Sequence, residues 1–166
     1  MQRSHKIQLV PNQKAVEYFQ QACGVARFTY NWALAESCQQ YKEEGGQPSP
    51  LELKRYFNSF KRFDYEWMND VTKCASEQPF VNLNNAFQRY FKKLSNFPKP
   101  KKKYKSKDSF YIANDQFSID GKYINIPKLG KVKMTEKLRY EGTKVGFLER
   151  LFQGERINGL YPLMSN

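Results

Sequence analysis

The hydrophobic period of this chain changes once, across a pair of prolines, and that switch limits what it can fold into. From Val16 to Leu94 apolar side chains recur at three- and four-residue steps. From Phe110 to Met134 they recur at every second residue. The first spacing lays a stripe along a helix, and the second puts alternate side chains on one face of a strand. Pro98 and Pro100 stand between the two regimes. A chain of 166 residues patterned this way is α+β and holds one ordinary domain or two small ones.

The helical half divides at its own punctuation. Ser4 to Val10 alternates, with His5, Ile7 and Leu9 on one face, and reads as a short strand ended by Pro11. His5 there is a partly buried strand residue in the simplest reading. Asn12 is placed as the N-cap of a helix that runs to about Glu43 with Val16, Phe19, Cys23, Ala26, Tyr30 and Leu34 as its stripe. Gly45-Gly46 ends it. Gly24 inside that helix costs roughly 1 kcal/mol relative to Ala, so either a close helix approach or a break between two shorter helices is expected there. Ser49-Pro50-Leu51-Glu52 combines a capping box with proline at the first helical position, and Leu53, Phe57 and Phe60 follow. Trp67, Met68 and Val71 form a third short element. Phe80, Leu83, Phe87, Tyr90 and Leu94 mark a fourth, whose start Pro79 leaves open: Ser76 caps it, or a helix begun near Thr72 is kinked at the proline. The bundle is expected to pack through Phe19, Phe57, Phe60, Trp67, Phe80, Leu83 and Phe87.

Residues 108–135 read as a β-meander turning at Asp120-Gly121 and at Leu129-Gly130. Such a sheet cannot bury its apolar face alone. The N-terminal strand is its natural partner, which makes the fold a helical bundle inserted into a partial antiparallel β-barrel. If the barrel stops there, Lys131–Met134 is left as an exposed edge.

Charge narrows the function. Between Arg89 and Lys107 stand nine basic side chains and no acidic one: Arg89, Lys92, Lys93, Lys99, Lys101, Lys102, Lys103, Lys105 and Lys107. Tyr90, Phe91, Phe97 and Tyr104 are set among them. Like charges at that density repel unless something anionic lies against them, and phosphates with their released counterions are the usual partner. Aromatic faces between the lysines offer a surface for bases. The whole chain follows the same bias, with 28 basic against 16 acidic residues and a formal charge of +12. Other classes recede. The three cysteines, Cys23, Cys38 and Cys74, have no short-range pairing, as in a reducing cytoplasm. No stretch approaches a membrane span and the N-terminus has no signal-peptide core. A single histidine, with no close cysteine pair and no carboxylate cluster, gives no metal site. No cofactor is expected.

Three blocks in order then resemble a known family. The first is Leu9-Val10-Pro11-Asn12 leading to Ala26-Arg27-Phe28-Thr29-Tyr30-Asn31-Trp32-Ala33-Leu34. The second is Trp67-Met68, Lys73 and Leu83-Asn84-Asn85-Ala86-Phe87-Gln88-Arg89-Tyr90-Phe91. The third is Pro98 with the lysines to Lys107, Asp108-Ser109-Phe110 and Ile126-Pro127-Lys128-Leu129-Gly130-Lys131-Val132. Together they resemble the N-terminal part of TnpB, the OrfB-type protein of bacterial insertion sequences. TnpB is an RNA-guided nuclease related to type V CRISPR effectors. The resemblance implies an oligonucleotide-binding-like wedge domain, residues 1–11 plus 98–145, interrupted by a helical recognition domain, residues 12–97. It also implies a bacterial cytoplasmic protein whose partners are a guide RNA and the duplex DNA next to its target.

Residues 146–166 diverge from the family. They contain no Gly-x-Asp-x-Gly strand to open a RuvC nuclease and no four-cysteine knuckle, so the Mg²⁺ and Zn²⁺ of full-length relatives are not expected and no residue is assigned a catalytic role. The resemblance places Lys73 and Gln78 where relatives contact the target-adjacent motif; Glu77 beside them would repel phosphate. Arg27 and Asn31, four apart on one helix face, are expected near nucleic acid. Lys99, Lys101, Lys102, Lys103, Lys105 and Lys107 are expected to track backbone phosphates. The expected function is a nucleic-acid-binding module without nuclease. Two alternatives stand beside it: a stand-alone DNA-binding regulator, or half of a split nuclease completed by a downstream RuvC-containing chain.

Overall fold

The structure, a computed structural model, describes residues 7–139, 147–153 and 156–161. Ser4–Lys6 of the expected first strand, with His5, and much of the 146–166 tail lie outside the described residues. Strand β1 (Leu9–Val10) leads into helix α1 (Gln13–Glu44), and α2 (Pro50–Asp64) follows. A 3-10 segment, Glu66–Asp70, connects to α3 (Cys74–Phe91). Strands β2 (Ser118–Asp120), β3 (Tyr123–Ile126) and β4 (Gly130–Met134) complete an open antiparallel sheet of order β1-β4-β3-β2. Two further strands, β5 (Phe147–Gln153) and β6 (Arg156–Tyr161), pair as an antiparallel hairpin with an irregularity between Leu148 and Leu151.

The helix signals act as their chemistry requires. The Asn12 side chain accepts from the Ala15 amide at 2.9 Å, and Gly45 closes α1 in the left-handed region at φ 73°. At α2, Ser49 and Glu52 exchange both bonds of a capping box behind Pro50. Pro79 lies inside α3, so the helix begun near Thr72 is the correct alternative, and Thr72 Oγ1 accepts from the Cys74 amide at 3.4 Å. At its far end α3 closes with a paired hydrogen-bond cap: Leu94 N–H donates to Arg89 and Lys93 N–H to Tyr90, each at 2.8 Å. The left-handed position of that cap is held by Lys93 at φ 58°, not by a glycine.

One core runs through both halves. Phe19, Phe57, Phe80, Leu83 and Phe87 from the helices are buried with Ile124, Ile126, Val132 and Met134 from the sheet. Tyr18 ties the two together, since its hydroxyl donates to Pro127 O at 2.8 Å and accepts from the Thr72 amide at 2.9 Å. Burial pushes its pKa up to about 12.

Several expectations need correction. Gly24 marks neither a break nor a close approach: α1 is continuous, and a Cβ there would meet only the Arg27 guanidinium at 4.0 Å. Trp67 is 42% exposed, its ring edge-on to Phe28 at 5.8 Å, instead of filling the bundle. Tyr90, in the last turn of α3, and Leu94, beyond its end at Phe91, are exposed too. Phe110 and Ile112 are buried but belong to no regular strand. The first hairpin turns one residue later than expected, on Gly121-Lys122 between the paired Asp120 and Tyr123, with Gly121 at φ 59°. The second closes Ile126 against Gly130. Finally, Lys131–Met134 is not an edge strand: β4 pairs with β3 throughout, and its last two residues pair with Val10 and Leu9.

Two outcomes follow. Gly24→Ala should raise stability by about 1 kcal/mol in chemical denaturation, because it adds helix propensity without meeting an obstacle. Tyr18→Phe should lower stability by about 1–3 kcal/mol at neutral pH, since Thr72 N–H and Pro127 O lose their shared partner. Tyr18 has a raised folded pKa, so its contribution is whole below the unfolded value of about 10 and is lost as pH rises toward 12. Denaturation at stepped pH should therefore show the wild type's margin over Tyr18→Phe shrinking across that window.

Candidate nucleic-acid interface

The basic segment after α3 is a shaped loop, held to one face of α1. Arg27, Tyr30 and Asn31 fall at helical spacing and meet it together. The Asn31 amide donates to Lys101 O at 2.9 Å and accepts from Lys101 N–H at 2.7 Å. Arg27 pairs with Asp108 at 2.7 Å, with both side chains under a fifth exposed. Between these anchors the Lys101 ammonium lies 4.5 Å from the centre of the Tyr30 ring. Burial pulls that ammonium below the usual lysine range, while Asp108 pushes it back up.

From Lys102 to Ser106 the chain folds on itself. Ser106 Oγ accepts from Lys102 N–H at 2.9 Å, and the Ser106 amide returns a bond to Lys102 O at 2.9 Å. Lys105 N–H adds a third to the same carbonyl at 3.2 Å. Tyr104 stands at the tip with φ 64°. Lys99, Lys102, Lys103, Lys105 and Lys107 are exposed along the segment.

The expected site residues therefore separate by role. Lys99, Lys102, Lys103 and Lys105 are exposed, Lys107 is exposed but also lines a small cleft with Arg27 and Asp108, and Arg27, Asn31 and Lys101 fix the loop. Gln78 is drawn to the same region, since it lines a small cleft with Ala26, Asn82, Lys101 and Tyr111. Its amide donates to Asn82 at 3.3 Å. Lys73 is exposed at the N-terminus of α3 and its side chain caps nothing; a cation there opposes the helix dipole. Glu77, expected to repel phosphate, is paired with Lys54 at 3.4 Å.

The sequence reading missed a second basic surface. On the outer face of the sheet, Tyr123 lies opposite Lys133 and Asn125 opposite Lys131, all exposed, while Ile124, Ile126, Val132 and Met134 face the core. The period-two alternation that buries Ile124, Ile126, Val132 and Met134 carries that signal, since it sends Tyr123, Asn125, Lys131 and Lys133 to the opposite face. Among the described residues no group of His, Cys, Asp and Glu is placed to hold a metal ion. No described helix is long and apolar enough to cross a membrane.

Residues 1–46 match a family described as a helix-turn-helix domain, of the OrfB type found in IS605 elements. Among the described residues of that match the chain has β1 and one unbroken helix, and no helix-turn-helix pair. The chain is also 23% identical over 142 residues to an Escherichia coli (strain K12) protein named as an RNA-guided DNA endonuclease, InsQ. That alignment takes in 84% of this chain but only 35% of the relative. The chain thus carries a TnpB/OrfB-type N-terminal part.

If Asn31 anchors the loop, Asn31→Ala removes two hydrogen bonds worth about 1 kcal/mol each. Trypsin samples the opened form, so cleavage between Lys101 and Lys107 should quicken roughly tenfold or more, while global stability falls by no more than about 2 kcal/mol. An unchanged cleavage rate would mean that the two bonds do not hold the loop.

Proposed function

We propose that this chain is the nucleic-acid-binding module of a TnpB-like protein, which grips a guide RNA and the duplex DNA beside its target. The observation that carries this reading is the acid-free basic segment, Arg89–Lys107, fixed on α1 by Asn31 and Arg27 so that its other lysines face outward. A solvated linker would not need two buried-side anchors. In this proposal residues 1–11 and 98–145 form the wedge, whose open sheet is part of an oligonucleotide-binding-like barrel, and residues 12–97 form the recognition domain. Lys73 and Gln78 contact the target-adjacent motif, where Gln can pair with adenine and Lys can reach guanine or a phosphate. The exposed loop lysines hold phosphates, which gives affinity without sequence information.

The sequence holds no Gly-x-Asp-x-Gly strand, and cleavage of a phosphodiester needs carboxylates gathered around metal ions to neutralise charge at the attacking and leaving oxygens. In this proposal residues 1–166 bind without cutting, and a RuvC half, in the same protein or in a second chain, would supply the nuclease. A stand-alone helix-turn-helix regulator is disfavoured by the continuity of α1, which spans the whole region where a turn would be needed.

The test is salt dependence. Purified protein should bind RNA or DNA with log Kd rising steeply with log salt. Replacing Lys102, Lys103 and Lys105 together by Gln should flatten that slope by up to about three. Lys101→Gln should change it by well under one, because its ammonium faces Tyr30. Absence of binding at low salt, or a salt-independent affinity, would contradict the proposal.

A further inference from the structure

We infer that the turn Lys102–Ser106 is a stacking finger, in which the Tyr104 ring seats an unpaired nucleobase while Lys102, Lys103 and Lys105 hold the flanking phosphates. The inference rests on the nucleic-acid reading above and goes beyond it by naming the residue and the state of the base.

Three observations converge on Tyr104. It is the most exposed large hydrophobic side chain described, at 87%. It occupies the left-handed region at φ 64°, which costs an aromatic residue about 1–2 kcal/mol and which Gly or Asn would occupy at far less cost. A turn serving only to reverse the chain would have no use for tyrosine there. Its ring is also unlike its aromatic neighbours in sequence. Tyr90 and Phe97 sit edge-on to one another at 5.2 Å, and Phe97 meets Phe87 at 5.6 Å, so those rings serve each other. Among the described residues no ring lies against Tyr104, and only the Lys103 ammonium approaches it, 5.0 Å from its centre.

The support beneath the finger is rigid. Three hydrogen bonds close the turn on Lys102, and Asn31 holds the residue before it. Ordering therefore precedes binding, and little further entropy is lost when a base arrives. Stacking on an aromatic side chain is worth about 1–3 kcal/mol per base and tolerates any base. Bases within a duplex already stack on their neighbours, so the seat selects nucleotides outside a helix, whether in RNA or in an opened DNA strand.

The experiment compares short single-stranded oligonucleotides with abasic ones of equal length, which carry the same phosphates and no bases. Ribo- and deoxyribo-oligonucleotides are tested as separate arms. Wild type should prefer the base-bearing oligonucleotide roughly five- to hundredfold in at least one arm, and that arm identifies the sugar it accepts. Tyr104→Ala should lose the preference while keeping the salt slope, and Tyr104→Trp should keep both. A preference that survives Tyr104→Ala overturns the finger. Equal binding of both oligonucleotides by wild type also overturns it, and leaves the phosphate-binding reading standing. Binding of neither at low salt overturns both.

Discussion

Nine positive charges between Arg89 and Lys107 push one another apart, and the fold answers with two anchors on one face of α1. Asn31 bonds both polar groups of the Lys101 backbone, and Arg27 captures Asp108, the first acid after the run. Lys101 itself is spent as part of the anchor, its ammonium settled on Tyr30. Fixing a flexible loop of this length would otherwise fall to the ligand at each binding event. Here the order is supplied by the helix, and the remaining lysines are left pointing away from it.

The helix can serve as that platform because it is itself immobilised. α1 is buried along one side by Phe19, Ala22, Val25, Ala33 and Leu34. Tyr18 adds a polar pin, joining α1 to the approach of α3 and to the turn between β3 and β4 through a single hydroxyl. The sheet is fastened at its other margin by Leu9 and Val10, which pair with Met134 and Lys133 across most of the chain's length. A segment near the N-terminus thus closes the sheet that a distant segment builds, and both anchors of the basic loop lie a few turns along α1 from that closure.

Much of this was legible in residues with strong local chemistry. Asn12, Ser49 with Glu52, and the glycine at 45 mark helix ends because their side chains or backbone freedom satisfy orphan groups within a few residues. The period-two runs at 123–126 and 130–134 located both strands and their buried faces. What stayed hidden depends on partners far away. Gly24 suggested a break, but packing on both sides carries the helix straight through it. Phe110 and Ile112 alternate like a strand yet are needed as plugs for the core. Trp67 looked like core by its type alone, though its neighbours cover only one edge. The spacing of Arg27 and Asn31 marks a shared helix face, and nothing local says that a backbone and a carboxylate some 70 to 80 residues on occupy them.

The basic loop is ordered before any ligand arrives. Amide hydrogen exchange on the free protein tests it most directly, since Lys101 N–H is bonded to Asn31 and Ser106 N–H to Lys102. Protection of both amides well above the unfolded-chain rate is the predicted result. Exchange of Lys101 and Ser106 at the rate of an unstructured peptide, with α1 still protected, would contradict it.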